Sequence, residues 1–253
     1  MPIIRLFALI FFCLIGTHVW ASEADKILSK LDQSYYFPQQ YGLTQITARV
    51  EWEQLDVASG SGKFLRNPDF KFTWSKDEGM RQFKITGDTD QYSIKRKFEL
   101  KNQIQNYGEL IIPLTLKQKF ADYRGEIIKK SGERVGLVYH NNSTHEPVTR
   151  YHLLVNKSKM MIETIRFKQR SAPYKVNGVF RYEKLEGKWV IAESESRFRM
   201  GELNYQEKSI YRYKKINNIW LVHRIDQTLK QDNRIFQSHR FKISDVRTAI
   251  SEN

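Results

Sequence analysis

The chain has 253 residues, a formal net charge of +14 and a single cysteine, Cys13. One thiol excludes an internal disulfide, a zinc–thiolate centre and an iron–sulfur cluster, each of which needs two or more cysteines. The length is ample for a buried core. So basic a chain suits anionic lipid, acidic glycans, an acidic partner protein or simply a well-solvated surface.

Residues 1–21 have the pattern of a secretory signal peptide. Arg5 precedes an apolar run over residues 6–15, and small Ala21 ends the segment before a polar stretch. The run is shorter than the roughly 20 apolar residues that span a bilayer, although a retained N-terminal anchor is the alternative. We expect cleavage after Ala21 and a periplasmic location. The mature chain would then have no cysteine and 41 Lys and Arg against 28 Asp and Glu, a net charge of +13.

The first predicted element of the mature chain is a helix. Ile27, Leu28, Leu31 and Tyr35 recur at helical spacing, which predicts one amphipathic helix over about residues 23–36.

From Leu43 onwards apolar residues alternate with polar ones, as they do in strands with one buried face. Residues 44–57 and 63–75 are predicted strands that flank a Gly/Ser-rich turn. Residues 80–100 are predicted as two further short strands about a Gly-Asp turn. Together these segments predict an antiparallel sheet.

Residues 102–123 lose the alternation and predict a helix that starts near Pro113, or an apolar loop. Beyond Gly125 the alternation returns and predicts antiparallel strands to the end of the chain. No linker or low-complexity tract interrupts it, so we predict a single domain over residues 22–253.

One pattern occurs twice near the C-terminus, as YEKLEGKWVIAES (residues 182–194) and YKKINNIWLVHRI (residues 213–225). In each copy a tyrosine precedes a short turn sequence and a tryptophan follows it. The pair Asn217-Asn218 suits the positive φ of a hairpin turn. We predict two successive hairpins of one broad meander, because a solenoid or propeller would need more copies.

No catalytic motif is present. The sequence contains neither Gly-x-Ser-x-Gly nor His-Glu-x-x-His, and ASGSGK (residues 58–63) is better explained as a turn than as a phosphate loop. His140 and His145 flank a loop without a spaced carboxylate partner, which favours surface histidines over a metal site. We therefore expect no enzyme activity, no metal and no cofactor. A glycan hydrolase with two carboxylates that meet in a groove is a weaker alternative.

Aromatic residues make up 13% of a chain that is also 28% charged. A curved antiparallel sheet with an aromatic face and few covering helices leaves an apolar cavity on that face. The alternative is a fully packed core or a closed barrel.

The stretch GKFLRNPDFKFTW, Gly62 to Trp74, resembles the periplasmic lipoprotein-carrier family, the LolA-like proteins. It has a glycine, an alternating strand, basic Arg66 close before Pro68, and an aromatic-x-Trp ending. The order of signal peptide, single helix, long strand and late hairpins is similar as well, over most of the mature chain.

This resemblance implies a mainly antiparallel β fold, an incomplete, twisted β-barrel (half-barrel) with one or two helices covering the concave face. The cavity would carry acyl chains of lipoproteins, and a basic residue beside the proline would help to hold the helical lid shut. In this chain Asn67 directly precedes Pro68, and Arg66 stands one position earlier. A shift of one residue in a strand reverses the face to which a side chain points, which argues against that lid-holding role for Arg66.

We expect a non-enzymatic lipid or lipoprotein carrier that takes acyl chains in outer-membrane lipoprotein sorting or lipid transport. The alternative is a periplasmic protein–protein sensor or scaffold on the same half-barrel. Expected partners are acyl chains of lipid or lipoprotein and envelope membrane proteins, not nucleic acid, and we expect a monomer. The predicted lipid-binding residues are Trp52, Phe64, Arg66, Phe70, Phe72 and Trp74.

Overall fold

The computed structural model describes residues 22–87, 92–105, 107–141, 143 and 145–251. The predicted signal peptide and its cleavage site therefore involve residues outside the described part. No helix among the described residues is long and apolar enough to cross a membrane.

The described residues form four helical segments and thirteen strands. The helices are α1 (Glu23–Ser34), α2 (Ile94–Gln105), α3 (Gly108–Ile111) and α4 (Leu116–Lys119), and a 3₁₀ turn covers Pro38–Tyr41. The strands are β1 (Leu43–Leu55), β2 (Phe64–Arg66), β3 (Phe70–Ser75), β4 (Arg81–Ile85), β5 (Arg124–Ser131), β6 (Arg134–His140), β7 (Val148–Asn156), β8 (Met161–Gln169), β9 (Lys175–Leu185), β10 (Lys188–Met200), β11 (Leu203–Ile216), β12 (Ile219–Gln231) and β13 (Arg234–Ile250).

All thirteen strands belong to one antiparallel sheet. The strand order is β4-β3-β1-β13-β12-β11-β10-β9-β8-β7-β6-β5, and β2 pairs with β1 beside this path. Strands β4 and β5 are outermost, so the described sheet is an open half-barrel with helices on one face. The predicted fold class is confirmed. We call the helix-covered face the concave face.

Helix α1 begins at a capping box. The Asp25 amide donates to the Ser22 hydroxyl, and the Ser22 amide donates to the Asp25 carboxylate, so two otherwise unpaired donors of the first turn are satisfied. The helix ends at Ser34, two residues earlier than predicted. Tyr35 is already extended and pairs with Trp189 of β10, so the chain passes directly from α1 onto the sheet.

The two Trp hairpins are confirmed as neighbours in one meander, β9-β10 and β11-β12. Asn217 and Asn218 have φ of 47° and 62°, and Glu186 and Gly187 have φ of 50° and 80°. Positive φ at both central residues matches the right-handed twist of the flanking strands.

Residues 80–100 do not form two strands as predicted. Among the described residues of this stretch only β4 is a strand, and α2 occupies Ile94–Gln105. Leu100 and Ile104, four residues apart, are fully buried against the sheet, so the helical period outweighs the short alternation that suggested a strand. In residues 102–123 the single predicted helix near Pro113 corresponds to the one-turn helices α3 and α4 on either side of it.

Two apolar clusters form the core of the concave face. The first joins β1, β3, β4, β12 and β13 with α2 and α3. The second joins α1 with β6, β7 and β8. In the strand order β9, β10 and β11 lie between the two clusters.

Candidate ligand cavity on the concave face

A small apolar cavity of about 120 Å³ lies on the concave face and is bordered by residues of both core clusters. Its floor comes from β10, β11 and β12, one wall comes from the chain that follows α1, and its roof comes from α3 and the residues after it. The lining residues are Tyr35, Tyr36, Phe37, Pro38, Glu109, Leu110, Ile111, Pro113, Trp189, Val190, Ile191, Tyr211, Tyr213, Trp220 and Val222.

The tyrosine hydroxyls around the cavity are bonded to protein groups. Tyr35 donates to the Tyr182 hydroxyl (3.1 Å) and accepts from the Ile162 amide (2.8 Å). Tyr36 accepts from the Trp220 amide at 2.9 Å, and Tyr213 donates to the Ile191 carbonyl at 3.0 Å. With their hydroxyls bonded, these side chains offer mainly ring surface to a ligand.

Burial raises the pKa of the tyrosines at the cavity. The pKa of Tyr35 and of Tyr36 rises to about 12, and that of Tyr213 is raised further in the same direction. These groups therefore stay neutral at physiological pH, and the cavity suits binding of an apolar group better than proton transfer.

The roof of the cavity, which we define as residues 107–113, is held by a few side-chain hydrogen bonds. Arg81 Nε donates to the Ile112 carbonyl at 2.7 Å, and Gln39 Nε2 donates to the Pro113 carbonyl at 2.7 Å. The Tyr107 hydroxyl donates to Gln227 on β12. The roof is thus tied to β4 and β12 of the sheet and to the 3₁₀ turn Pro38–Tyr41.

Arg81 holds the roof in place against β4. Its backbone carbonyl accepts from Gln105 Nε2 at 2.6 Å, which fixes the end of α2 as well. A Cβ on Gly108 would lie only 2.9 Å from the Cβ of Arg81, so only glycine allows α3 to approach β4 this closely. Burial lowers the pKa of the Arg81 guanidinium, and nearby Glu109 opposes that shift; the group remains charged.

Four of the predicted lipid-binding residues lie in the first core cluster. Trp52, Phe70 and Phe72 are fully buried, and Trp74 is nearly so. All four face the concave side, packed with side chains of α2 and the roof. None is among the described residues that line the cavity, so a ligand would reach them only if α2 and the roof moved.

The other two predicted residues lie away from the roof. Phe64 is half-buried, and the Arg240 guanidinium lies 3.6 Å from its ring centroid. Arg66 has a side chain that is 58% exposed and pairs with Asp69 at 3.1 Å and with Glu51 at 3.7 Å. Among the described contacts, the arginine that touches the roof is Arg81.

The sequence interpretation missed the residues that form the cavity. The repeated hairpin pattern contains Tyr182, Trp189, Tyr213 and Trp220, but it predicts only two neighbouring hairpins of the sheet and no cavity. In the structure three of these four line the cavity, and Tyr182 bonds to Tyr35, which also lines it. The repeated Tyr and Trp positions were the available signal.

A second, open depression adjoins the cavity. This edge groove has a volume of about 1430 Å³, lies between β4 and α2, and shares Glu109 and Leu110 with the cavity lining. Glu109 and Leu110 of the roof therefore lie between the apolar cavity and an open, lysine-bearing surface.

Two further features bear on chemistry. His239 is buried, and its Nδ1 accepts from Trp52 Nε1 at 3.0 Å; burial lowers the pKa of His239 to about 4. Among the described residues no group of three His, Cys, Asp or Glu side chains is placed to hold a metal ion.

These observations define an antiparallel half-barrel with an apolar cavity under a helical roof. Similar solved structures include a putative outer-membrane lipoprotein-sorting protein domain from Vibrio parahaemolyticus, 10% identical, covering 92% of this chain and 95% of that one with a TM-score of 0.33. A LolA superfamily protein from Nitrosomonas europaea is 11% identical, with coverage of 92% and 96% and a TM-score of 0.36. A DUF1329 family protein from Desulfovibrio piger is 12% identical, with coverage of 90% and 92% and a TM-score of 0.32.

Two of these structures, the lipoprotein-sorting domain and the LolA superfamily protein, carry the description of the family that Gly62–Trp74 resembles. With TM-scores below 0.5, these similarities say nothing of a ligand or partner of this chain. No family model and no curated protein matches the sequence.

Proposed function

We propose that this protein is a non-enzymatic periplasmic carrier that binds the acyl chain of a lipid or lipoprotein on the concave face of its half-barrel. The observation that carries the proposal is the apolar, aromatic-lined cavity under the roof. An acyl chain suits such a lining, because each methylene removed from water contributes about 0.8 kcal/mol.

The size of the cavity indicates how binding would proceed. At about 120 Å³ it is smaller than the roughly 150 Å³ apolar cavity that admits benzene. A whole acyl chain would therefore require the roof to lift. The three side-chain hydrogen bonds that hold the roof each contribute only about 1 kcal/mol net, or somewhat more for the charged one, so ligand burial can offset their loss.

Lifting of the roof also gives the predicted lipid-binding residues a role. Trp52, Phe70, Phe72 and Trp74 lie beneath α2 and the roof and would extend the apolar surface once these helices move. Phe64 and Arg66, the first and last residues of β2, would contact a ligand only at its exit. These roles remain proposals.

The test is binding of a fluorescent fatty-acid probe to the purified protein. In the Leu110→Trp variant the larger side chain of the roof would fill the cavity, and we expect the probe affinity to fall at least about tenfold, equivalent to about 1.4 kcal/mol. The control is Leu65→Trp on β2, where the leucine is 57% exposed and remote from the cavity lining. It should bind as the unmodified protein does.

Absence of probe binding to the unmodified protein, or equal affinity of both variants, would refute the cavity as the ligand site. Native mass spectrometry of protein purified from its own envelope adds a second readout. Co-purified phospholipid or lipopeptide supports a carrier, whereas a retained protein partner without lipid supports the sensor or scaffold.

A further inference from the structure

The edge groove is bordered by large apolar side chains that are exposed to solvent. Met80 is 56% exposed, Ile94 is 87% exposed and Phe98 is 64% exposed. All three line the groove between α2 and β4. Contiguous apolar exposure of this kind at a protein surface is typical of an interaction site.

Packing against the sheet sets the orientation in which α2 exposes these side chains. Leu100 and Ile104 are fully buried in the first core cluster, so the helix cannot rotate without loss of that packing. Ile94 and Phe98 are one helical turn apart and share the side that borders the groove. The exposure of Ile94 and Phe98 thus follows from the packing of α2 against the sheet.

Cations surround the same apolar side chains. Lys71, Lys84, Lys97 and Lys101 line the groove, and none of them has an ion-pair partner among the described residues. Among the described residues of the lining Glu109 is the acidic one, and Lys119 Nζ lies 3.0 Å from its carboxylate. The surface is therefore both apolar and positively charged.

We propose that this surface, which consists of α2 and β4 around the edge groove, docks on an anionic phospholipid bilayer. Ile94 and Phe98 would enter the boundary between headgroups and acyl chains, as the apolar face of an interfacial helix does. The lysines would reach the phosphate layer on their long apolar stems.

A bilayer fits this surface better than an acidic peptide does. A bound peptide needs pockets that enclose its anchor side chains, whereas here the protruding apolar groups belong to the protein itself and are mostly solvated. The charge complementarity is with a broad anionic plane, because the lysines come from β3, β4 and α2 rather than from one point.

The docking surface overlaps the proposed carrier site at Glu109 and Leu110 and is otherwise separate from it. Docking would bring the roof, which shares Glu109 and Leu110 with the groove, to the membrane face. Bilayer docking and acyl-chain binding can nevertheless be lost separately.

The experiment is co-sedimentation with vesicles of phosphatidylcholine containing phosphatidylglycerol, compared with phosphatidylcholine alone. The test variants are Ile94→Ser/Phe98→Ser and Lys97→Glu/Lys101→Glu. The matched control is Phe236→Ser/Lys230→Glu on the distal hairpin β12-β13, where Phe236 is 55% exposed. Each test variant should weaken binding to the anionic vesicles by about tenfold or more, and the control should not. Binding should also weaken with added salt.

A label placed on α2 gives an independent readout. In a Cys13→Ser background, an environment-sensitive dye on Phe98→Cys should shift to the blue with anionic vesicles, whereas the same dye on Phe236→Cys should not. The proposal is overturned if the unmodified protein does not co-sediment with anionic vesicles, or if the control variant loses vesicle binding as the test variants do. It is also overturned if an acidic peptide, but no vesicle, shifts the emission of the dye on α2. The test variants should bind the fatty-acid probe within about twofold of the unmodified protein, so a failed docking surface is distinguishable from a failed cavity.

Discussion

Substitution of Arg81 by methionine tests how firmly the roof is held. Methionine keeps an unbranched apolar stem beside Gly108 but removes the guanidinium that donates to the Ile112 carbonyl at 2.7 Å. Ile112 is fully buried, so its carbonyl would lose its charged donor without water to replace it.

The expected cost follows from the kind of bond that is lost. A hydrogen bond from a charged donor contributes about 1.5 to 3 kcal/mol. Most of this loss should appear as easier opening of the roof, because the strands keep their own ladder bonds. At 1.4 kcal/mol per factor of ten, the opening constant should rise by roughly 10- to 150-fold.

Hydrogen exchange measures this opening directly. The Leu110 amide donates to the Tyr107 carbonyl and the Ile112 amide to the Gly108 carbonyl, each at 3.0 Å, so both report on the roof. Their exchange should accelerate by the factor above in Arg81→Met, while exchange in the central strands stays unchanged. The control is Arg66→Met. Unchanged exchange of the roof in Arg81→Met, or equal acceleration in Arg66→Met, would refute the reasoning.

Two further predictions concern stability. Burial lowers the pKa of His239 from 6.5 to about 4, so between these pH values the unfolded chain binds a proton at His239 and the folded protein does not. As the pH falls from 6.5 towards 4, protonation of His239 in the unfolded chain should lower the free energy of unfolding by about 3 kcal/mol. Urea unfolding of His239→Gln across that range should show a shallower pH dependence, and an identical slope would contradict the assignment. Asp32 accepts from the Leu116 and Lys117 amides at 2.6 and 2.9 Å and so caps α4. Asp32→Ala should therefore lower the free energy of unfolding by about 0.5 to 2 kcal/mol, and Asp32→Asn should lower it less. Equal losses in the two variants would argue against a capping role.

Elements with a sustained period could be predicted from the sequence. Helix α1, strand β1 and the two Trp hairpins follow from apolar spacing and from turn residues that tolerate positive φ. The open half-barrel could not be derived from spacing alone, because the pairing of β1 with β13 joins residues about 200 positions apart, such as Leu43 and Ile250. The fold class therefore depended on the resemblance of Gly62–Trp74 to a known family.

The candidate site was harder to predict for the same reason. The site depends on hydrogen bonds between distant segments, which no sequence pattern predicts. These bonds join Arg81 to Ile112, Gln39 to Pro113 and Tyr35 to Tyr182. The concave aromatics of β1 and β3 were recognisable by their alternation, but their covering by α2 was not. The charged stretch before Leu100 concealed the helical period that fixes that covering.

The strand order has a mechanical consequence. Strands β4 and β5 are consecutive in the chain but lie at opposite rims of the half-barrel, so the connection between them is a tie across its mouth. This tie contains α3 and α4, each of four residues. A residue advances about 1.5 Å in a helix and about 3.3 Å in an extended chain, so unwinding either helix would lengthen the tie by about 7 Å. Unwinding of the two shortest helices would thus let the rims separate without breaking a strand pair.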